Sequence, residues 1–291
     1  HYGQEVFEGM KAQRTRDGRV MLFRPRDNAA RLRRSAARLL MAEVPEDLFM
    51  KGVIETVKAN IDYVPPYGTG ASLYIRPFQI GVGDNLGVKP APEYLFSVFV
   101  CPVGPYFKSG FQTINVKVEE YYDRVAQHGV GQAKTGGNYA ASLLPLKIAH
   151  DEDYNELVYL DPVEHKYFEE ISSSNIFFVF KDSSLATPKS ESILESITRL
   201  SLVKVAREEF GLDMIERRIS IDEIENFVEA GACGTAAVIT PIGSLGHRGK
   251  LYKFYADGKE AGPITTKLYK HLIAYQIGDV PDRFGWLEEI K

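Results

Sequence analysis

Apolar and polar positions change period repeatedly along this chain, and the changes mark strands and helices in alternation. Arg19-Val20-Met21-Leu22-Phe23 has the length and composition of a strand. Behind it, Asp27 is placed to cap a helix in which Leu32, Ala36, Leu39 and Leu40 share one face, so that face belongs in a core. Leu73-Tyr74-Ile75 and residues 94–100 read as further strands of the same region. Residues 101–110 then bring in two prolines and two glycines, which breaks the pattern and predicts a connection between domains. Beyond it, alternation over 113–118 and apolar runs at 157–160 and 176–180 make a second, strand-rich region. Its predicted helices are 198–210, stopped by Gly211, and a segment opened by the capping-box pair Ser220 and Glu223. A last amphipathic helix carries Ile264, Leu268, Leu272 and Ile273 and ends near Gly278. The pattern predicts an α+β protein of two domains, 1–100 and 112–291, joined by 101–111, with the functional cleft expected where the halves meet.

Inside the second region lies Gly129-Val130-Gly131-Gln132-Ala133-Lys134-Thr135-Gly136-Gly137-Asn138-Tyr139, a lysine set between glycine pairs. Glycine lets backbone come close to a partner, so the amine is placed as if against a planar ligand, and a desolvated lysine forms Schiff bases with carbonyl groups. A glycine-rich surface turn is the bland alternative. Residues 185–188, a loop and Ile193-Leu194-Glu195-Ser196-Ile197-Thr198-Arg199 run from strand to helix start, where unpaired N–H groups and the helix dipole favour an anion; an ordinary N-cap serine explains the same residues. Gly231-Ala232-Cys233-Gly234-Thr235-Ala236-Ala237 would let backbone approach a ligand or would make a tight turn. Tyr167-Phe168-Glu169-Glu170-Ile171-Ser172-Ser173-Ser174-Asn175 offers a carboxylate, Glu170, able to hold a protonated pyridine nitrogen, or else an exposed charged pair at a strand end.

Composition narrows the classes. At 291 residues and 44% hydrophobic, the chain is large enough for two cores, and a formal net charge of −4 gives no bulk electrostatic case for nucleic acid or an anionic membrane. Cys101 and Cys233 show no metal spacing, so neither a disulfide scaffold nor a metal site is expected, and a reducing, cytoplasmic setting is. No apolar run approaches a membrane span and no signal peptide is visible; the chain opens at His1 in mid-pattern, which suggests a missing N-terminal segment.

The segments together resemble the branched-chain amino acid aminotransferases, of the fold-type-IV pyridoxal-phosphate enzymes. The resemblance is carried by His1-Tyr2-Gly3-Gln4-Glu5-Val6-Phe7-Glu8-Gly9-Met10-Lys11-Ala12, Leu22-Phe23-Arg24-Pro25 leading to Arg31-Leu32, and Leu73-Tyr74-Ile75-Arg76-Pro77. It continues through Gly104-Pro105-Tyr106-Phe107, the Lys134 segment, Glu170 to Asn175, Thr187-Pro188 to Arg199, and Gly234-Thr235-Ala236, in the family's order over nearly the whole chain. It implies that Lys134 binds pyridoxal 5'-phosphate and moves the substrate's Cα proton, which requires a neutral amine and hence a depressed pKa. It further implies that Tyr139 bonds the ring's phenolic oxygen, that Glu170 pairs with the ring nitrogen, and that Arg31, Ile197, Thr198 and Thr235 hold the phosphate. Periodicity alone does not separate Arg31 from Arg33, Arg34 and Arg38 on the same helix.

By the same resemblance, Phe7 and Tyr74 line an apolar side-chain pocket, Tyr2, Ser173 and the Ala236 N–H meet the α-carboxylate, and Tyr106 helps close the cleft. Arg76 answers the second carboxylate of glutamate, which is costly to bury unpaired. Core packing is the bland reading of these aromatics. The implied substrates are leucine, isoleucine, valine, L-glutamate and their 2-oxo acids, in ping-pong transfer by a homodimer. Ser196 and Ser172-Ser173 depart from a common glycine and a common Gly-Thr, and Ala237-Val238-Ile239-Thr240 replaces the redox CxxC of mammalian members. The alternatives are a D-amino-acid aminotransferase or aminodeoxychorismate lyase, which differ in the substrate pocket, and a non-catalytic ligand-binding or assembly protein, which would bind no coloured cofactor.

Overall fold

The computed structural model describes residues 2–104 and 111–291, so Tyr106 and most of the expected 101–111 connection lie outside the described residues. The chain forms two compact units. The first takes the described residues through Gly104 together with Ala133–Gly137 and Ile273–Lys291; the second takes 111–132 and Asn138–Leu272. This grouping differs from a division at residue 100, because it carries the Lys134 turn and the C-terminus into the first unit.

The first unit is built on β1 (Glu5–Phe7), β2 (Met10–Arg14), β3 (Val20–Phe23), β4 (Ser72–Val82) and β5 (Glu93–Val103), with helices α1 (Pro25–Arg38) and α2 (Glu46–Ala59). Its six-stranded antiparallel sheet runs β1-β4-β2-β3 to a C-terminal strand, Leu287–Glu289, and β5 pairs β4 over the full length of both. The strand expected at 94–100 therefore reaches Val103 before the connection begins. Proline at the first position of α1 presets the helical φ, and Ala29, Leu32 and Ala36 bury one face. Asp27 does not cap α1: the N-cap is Arg24, in a left-handed conformation at φ 52°, and the Asp27 carboxylate instead accepts from Arg24 Nε at 2.8 Å. In α2, which no sequence signal singled out, Phe49, Met50, Val53 and Val57 turn inward at helical spacing.

The second unit contains β6 (Ile114–Glu119), α3 (Gly136–Ala140), α4 (Leu143–Asp151), β7 (Glu156–Leu160), β8 (Phe168–Ile171), β9 (Asn175–Phe180), β10 (Leu185–Pro188), α5 (Ile197–Phe210), β11 (Met214–Arg217), β12 (Phe227–Gly234), β13 (Val238–His247), β14 (Lys250–Lys253) and α6 (Pro263–Gln276), of which α3 and α6 each run across the division between units. The strand order is β11-β10-β9-β12-β13-β6-β7-β8, with β14 on β13. Pairings β10/β11, β13/β6 and β6/β7 are parallel and the others antiparallel, which makes the sheet mixed. Phe168, Phe178 and Phe227 pack at its centre, with Phe178 and Phe227 stacked at 4.2 Å. Gly211 ends α5 in a left-handed conformation at φ 62°, as its position predicts, and the Ser220/Glu223 capping box forms on a 3-10 turn. One expectation changes: Gly231 to Gly234 are strand rather than turn, and Gly231 is small because a Cβ would lie 2.5 Å from the Phe177 ring.

Candidate active site

Within the first unit, Lys134 occupies the apex of a three-residue turn closed by Thr135 N–H donating to the Ala133 carbonyl at 3.0 Å. Ala133 and Thr135 are buried and Lys134 is half-buried, so the turn is seated in the protein and is not a solvated loop. Phe7 N–H donates to the Lys134 carbonyl at 3.0 Å, and the Lys134 N–H donates to Ser35 Oγ at 2.9 Å. The glycines around it have protein reasons as well. A Cβ at Gly136 would lie 2.4 Å from Glu5 Oε2, which accepts the Gly136 N–H at 2.6 Å, and a Cβ at Gly131 would lie 1.9 Å from the Ser192 carbonyl.

The same unit gathers Phe7, Tyr74 and Arg76 beside the lysine. Lys134 Nζ lies 4.6 Å from the centre of the Phe7 ring, and the Arg76 guanidinium lies 4.8 Å from that centre and donates to the Tyr74 hydroxyl at 2.9 Å. Gly9 makes room for this group, since a Cβ there would lie 2.2 Å from Tyr74 Oη. Arg31 is not one more surface charge: it is buried while Arg33, Arg34 and Arg38 are exposed. Its Nε and Nη2 donate to the two oxygens of buried Glu8 at 2.8 and 2.7 Å. Tyr2 is placed differently, 56% exposed with its hydroxyl donating to the Leu86 carbonyl at 3.0 Å. Lys11, which sequence reasoning missed, is paired with Tyr74 across the β2/β4 ladder, and burial lowers its amine to about 8.

The second unit holds the remaining residues at one end of its sheet. Cys233 pairs with Asn175, and β10 runs antiparallel to β9, so the 172–174 turn, the β12–β13 turn and the chain leading into α5 fall at the same edge. Glu169 and Glu170 are both buried, which removes the reading of an exposed charged pair. Glu170 Oε1 pairs with Arg124 Nη2 at 2.9 Å and accepts the Leu194 N–H at 2.7 Å, while Asn175 Nδ2 donates to Oε2 at 3.0 Å. Arg124 also donates to the Ser192 carbonyl, and it too was missed, since nothing local marks an arginine that lies so far back in sequence from its partner. Ser196 is the N-cap of α5 and takes the Arg199 N–H, which leaves Ile197 and Thr198 as the first two amides of the helix. Ser172 and Ser173 donate to Glu156, whose carboxyl burial pushes above the usual range. Tyr139 and Thr235 are half-buried, and Ser173 and Ala236 are exposed. Cys233 is a free thiol that burial pushes up to about 12, and Cys101 is free and exposed.

These groups suit one chemical object divided between two kinds of donor. Amides at a helix start favour a phosphate, a fixed buried carboxylate favours a protonated nitrogen, and Asn175 Oδ1 and Arg124 Nε are buried without a partner among the described residues. The residues therefore fit pyridoxal phosphate. Residues 5–245 match the family described as amino-transferase class IV, and the chain belongs to that family. Its relatives point further. The branched-chain-amino-acid aminotransferase of Haemophilus influenzae is 51% identical over 100% of this chain and 86% of its own length, and that of Helicobacter pylori is 50% identical over 100% and 84%. The crystal structure of the branched-chain amino acid aminotransferase of Thermobaculum terrenum in its PLP form superposes with a TM-score of 0.84 at 27% identity, covering 99% of this chain and 90% of that one. The resemblance, the α+β fold-type-IV architecture and the pyridoxal-phosphate chemistry expected from the sequence are thereby borne out.

Proposed function

We propose that this chain transfers the α-amino group between leucine, isoleucine or valine and 2-oxoglutarate, yielding L-glutamate and the branched 2-oxo acids by a ping-pong route. The observation that carries this reading is the Phe7 ring with Lys134 Nζ 4.6 Å from its centre and the Arg76 guanidinium 4.8 Å from it. Such a group offers an aliphatic chain apolar surface and offers glutamate's second carboxylate a cation, so one pocket serves both substrates.

When bound, pyridoxal phosphate supplies a carbonyl for amine exchange and a ring that withdraws electrons. In this reading Arg31, the Ile197 and Thr198 amides and Thr235 hold its phosphate, Tyr139 its phenolic oxygen and Glu170 its ring nitrogen. Lys134 Nζ would be the base that removes the proton from the substrate's Cα and the acid that places one on the Cα of the new amino acid in the reverse half-reaction. Ser173 and the Ala236 N–H orient the α-carboxylate.

A homodimer in the cytoplasm belongs to the same proposal. Leu95 and Phe99, 49% and 54% exposed on β5, support a further protein contact, and two free thiols suit a reducing compartment. The absorbance of the protein with pyridoxal phosphate tests the function. A visible band that shifts to shorter wavelength with L-leucine and returns with 2-oxoglutarate is the expected result, and a band that responds to D-alanine but ignores L-leucine would overturn the substrate assignment.

A further inference from the structure

We propose that Glu5 and Ser35 are positioning residues for Lys134, and that they hold its turn in fixed register with Arg31 through one closed circuit of bonds. The inference rests on the reading above, in which Lys134 carries the cofactor and Arg31 meets its phosphate. The circuit can be followed residue by residue. Phe7 donates its N–H to the Lys134 carbonyl; Glu8, next in the chain, grips Arg31 with both carboxylate oxygens; Arg31 and Ser35 stand one turn apart on α1; and Ser35 Oγ accepts the Lys134 N–H. Glu8 and Ser35 are fully buried, Arg31 is 5% exposed, and Ala133 and Thr135 flank the lysine at 2% and 5%. Glu5 adds a charged acceptor at 2.6 Å to the Gly136 N–H, two residues past the lysine.

The chemistry gives this arrangement a purpose. A lysine that binds a carbonyl group, lets it go and then moves a proton must travel on its own flexible four-carbon stem and return to the same place. Both backbone groups of Lys134 and the amide of Gly136 are held, so the movement is confined to the side chain. Since misplacement by about 1 Å costs on the order of 10²-fold in rate, a fixed origin for that stem matters as much as the amine. The small residue at 136 agrees, because any side chain there would displace the Glu5 carboxylate.

The test uses the full chain with and without pyridoxal phosphate, comparing Ser35→Ala, Glu5→Ala and Glu5→Gln by hydrogen exchange over residues 131–138 and by steady-state kinetics. Ser35→Ala and Glu5→Ala should speed exchange of the Lys134 and Gly136 amides, respectively, by about tenfold or more. Both should lower kcat by about 10- to 100-fold while KM for L-leucine stays within about twofold. Glu5→Gln keeps an oxygen acceptor and should restore most of the protection. Exchange as slow as wild type in both alanine variants, or a KM rise that accounts for the whole loss, would overturn the proposal. Should Ser35→Ala not fold, Glu5→Ala, at a half-buried site, decides alone. Exchange without cofactor tests the circuit by itself, whereas wild-type turnover of L-leucine by Lys134→Ala would sink the lysine reading, so the two failures are distinct.

Discussion

The two units fix their principal charged groups in opposite ways. In the first, hydrogen bonds reach Lys134 at its backbone: Ser35 takes the N–H and Phe7 supplies a donor to the carbonyl. In the second, they reach Glu170 at its carboxylate, through Arg124, the Leu194 N–H and Asn175. In the proposed reaction Lys134 is a base that must move and is tethered behind its mobile stem, and Glu170 is a counter-charge that must stay and is tethered at the charge itself. Burial follows the same division, with Glu170 4% exposed and Lys134 half-buried. The difference teaches that the two sites should fail differently when mutated.

The largest effect expected is from Lys134→Ala, with amino transfer from L-leucine falling by about 10²- to 10⁴-fold. Its melting temperature should hardly change, because the backbone bonds survive; a large drop in stability would erase the contrast with Glu170. Glu170→Ala should cost stability as well as turnover, removing about 3–5 kcal/mol from urea unfolding, because Arg124 is left buried and unpaired. Adding Arg124→Met should recover much of that stability without recovering turnover, and a single variant within about 1 kcal/mol of wild type would mean the carboxylate is not what anchors this edge. Gly9→Ala sharpens the first unit alone. The new Cβ would lie 2.2 Å from Tyr74 Oη, so the tyrosine must move off Arg76, and KM for L-glutamate should rise about tenfold relative to that for L-leucine, the worth of one hydrogen bond to a charged group. Equal changes for both substrates would separate Arg76 from glutamate binding.

The smallest effect concerns pH. Burial holds the Lys11 amine near 8 against an ordinary 10.5, so between those values the folded chain binds fewer protons than the unfolded one. Stability contributed by this site therefore rises with pH from about 8 toward 10.5, and the burial penalty is fully present below that window. The melting temperature of the wild type relative to Lys11→Met should climb across it. A flat difference would show that the amine is not buried as a charge.

The amino-acid sequence by itself determined many of the elements and the family. The strands at 176–180 and 157–160, the stop at Gly211 and the Ser220/Glu223 capping box are local signals, written by neighbours within a few residues, and they appear in the fold where they were expected. Lys134 and Glu170 stood out as candidates because their segments carry unusual residue types in a short space. Arg31 could be singled out only by resemblance, and burial now separates it from Arg33, Arg34 and Arg38. Ser35 left a faint trace, a polar residue one turn after Arg31 and beside Leu32 and Ala36 on the inward face of α1. Arg124 and Glu5 left none. Whether a charge is buried, and which partner meets it there, depends on chain segments far apart in sequence arriving at one place. A buried charge stands only where such a partner arrives, and that condition was decided by the tertiary structure.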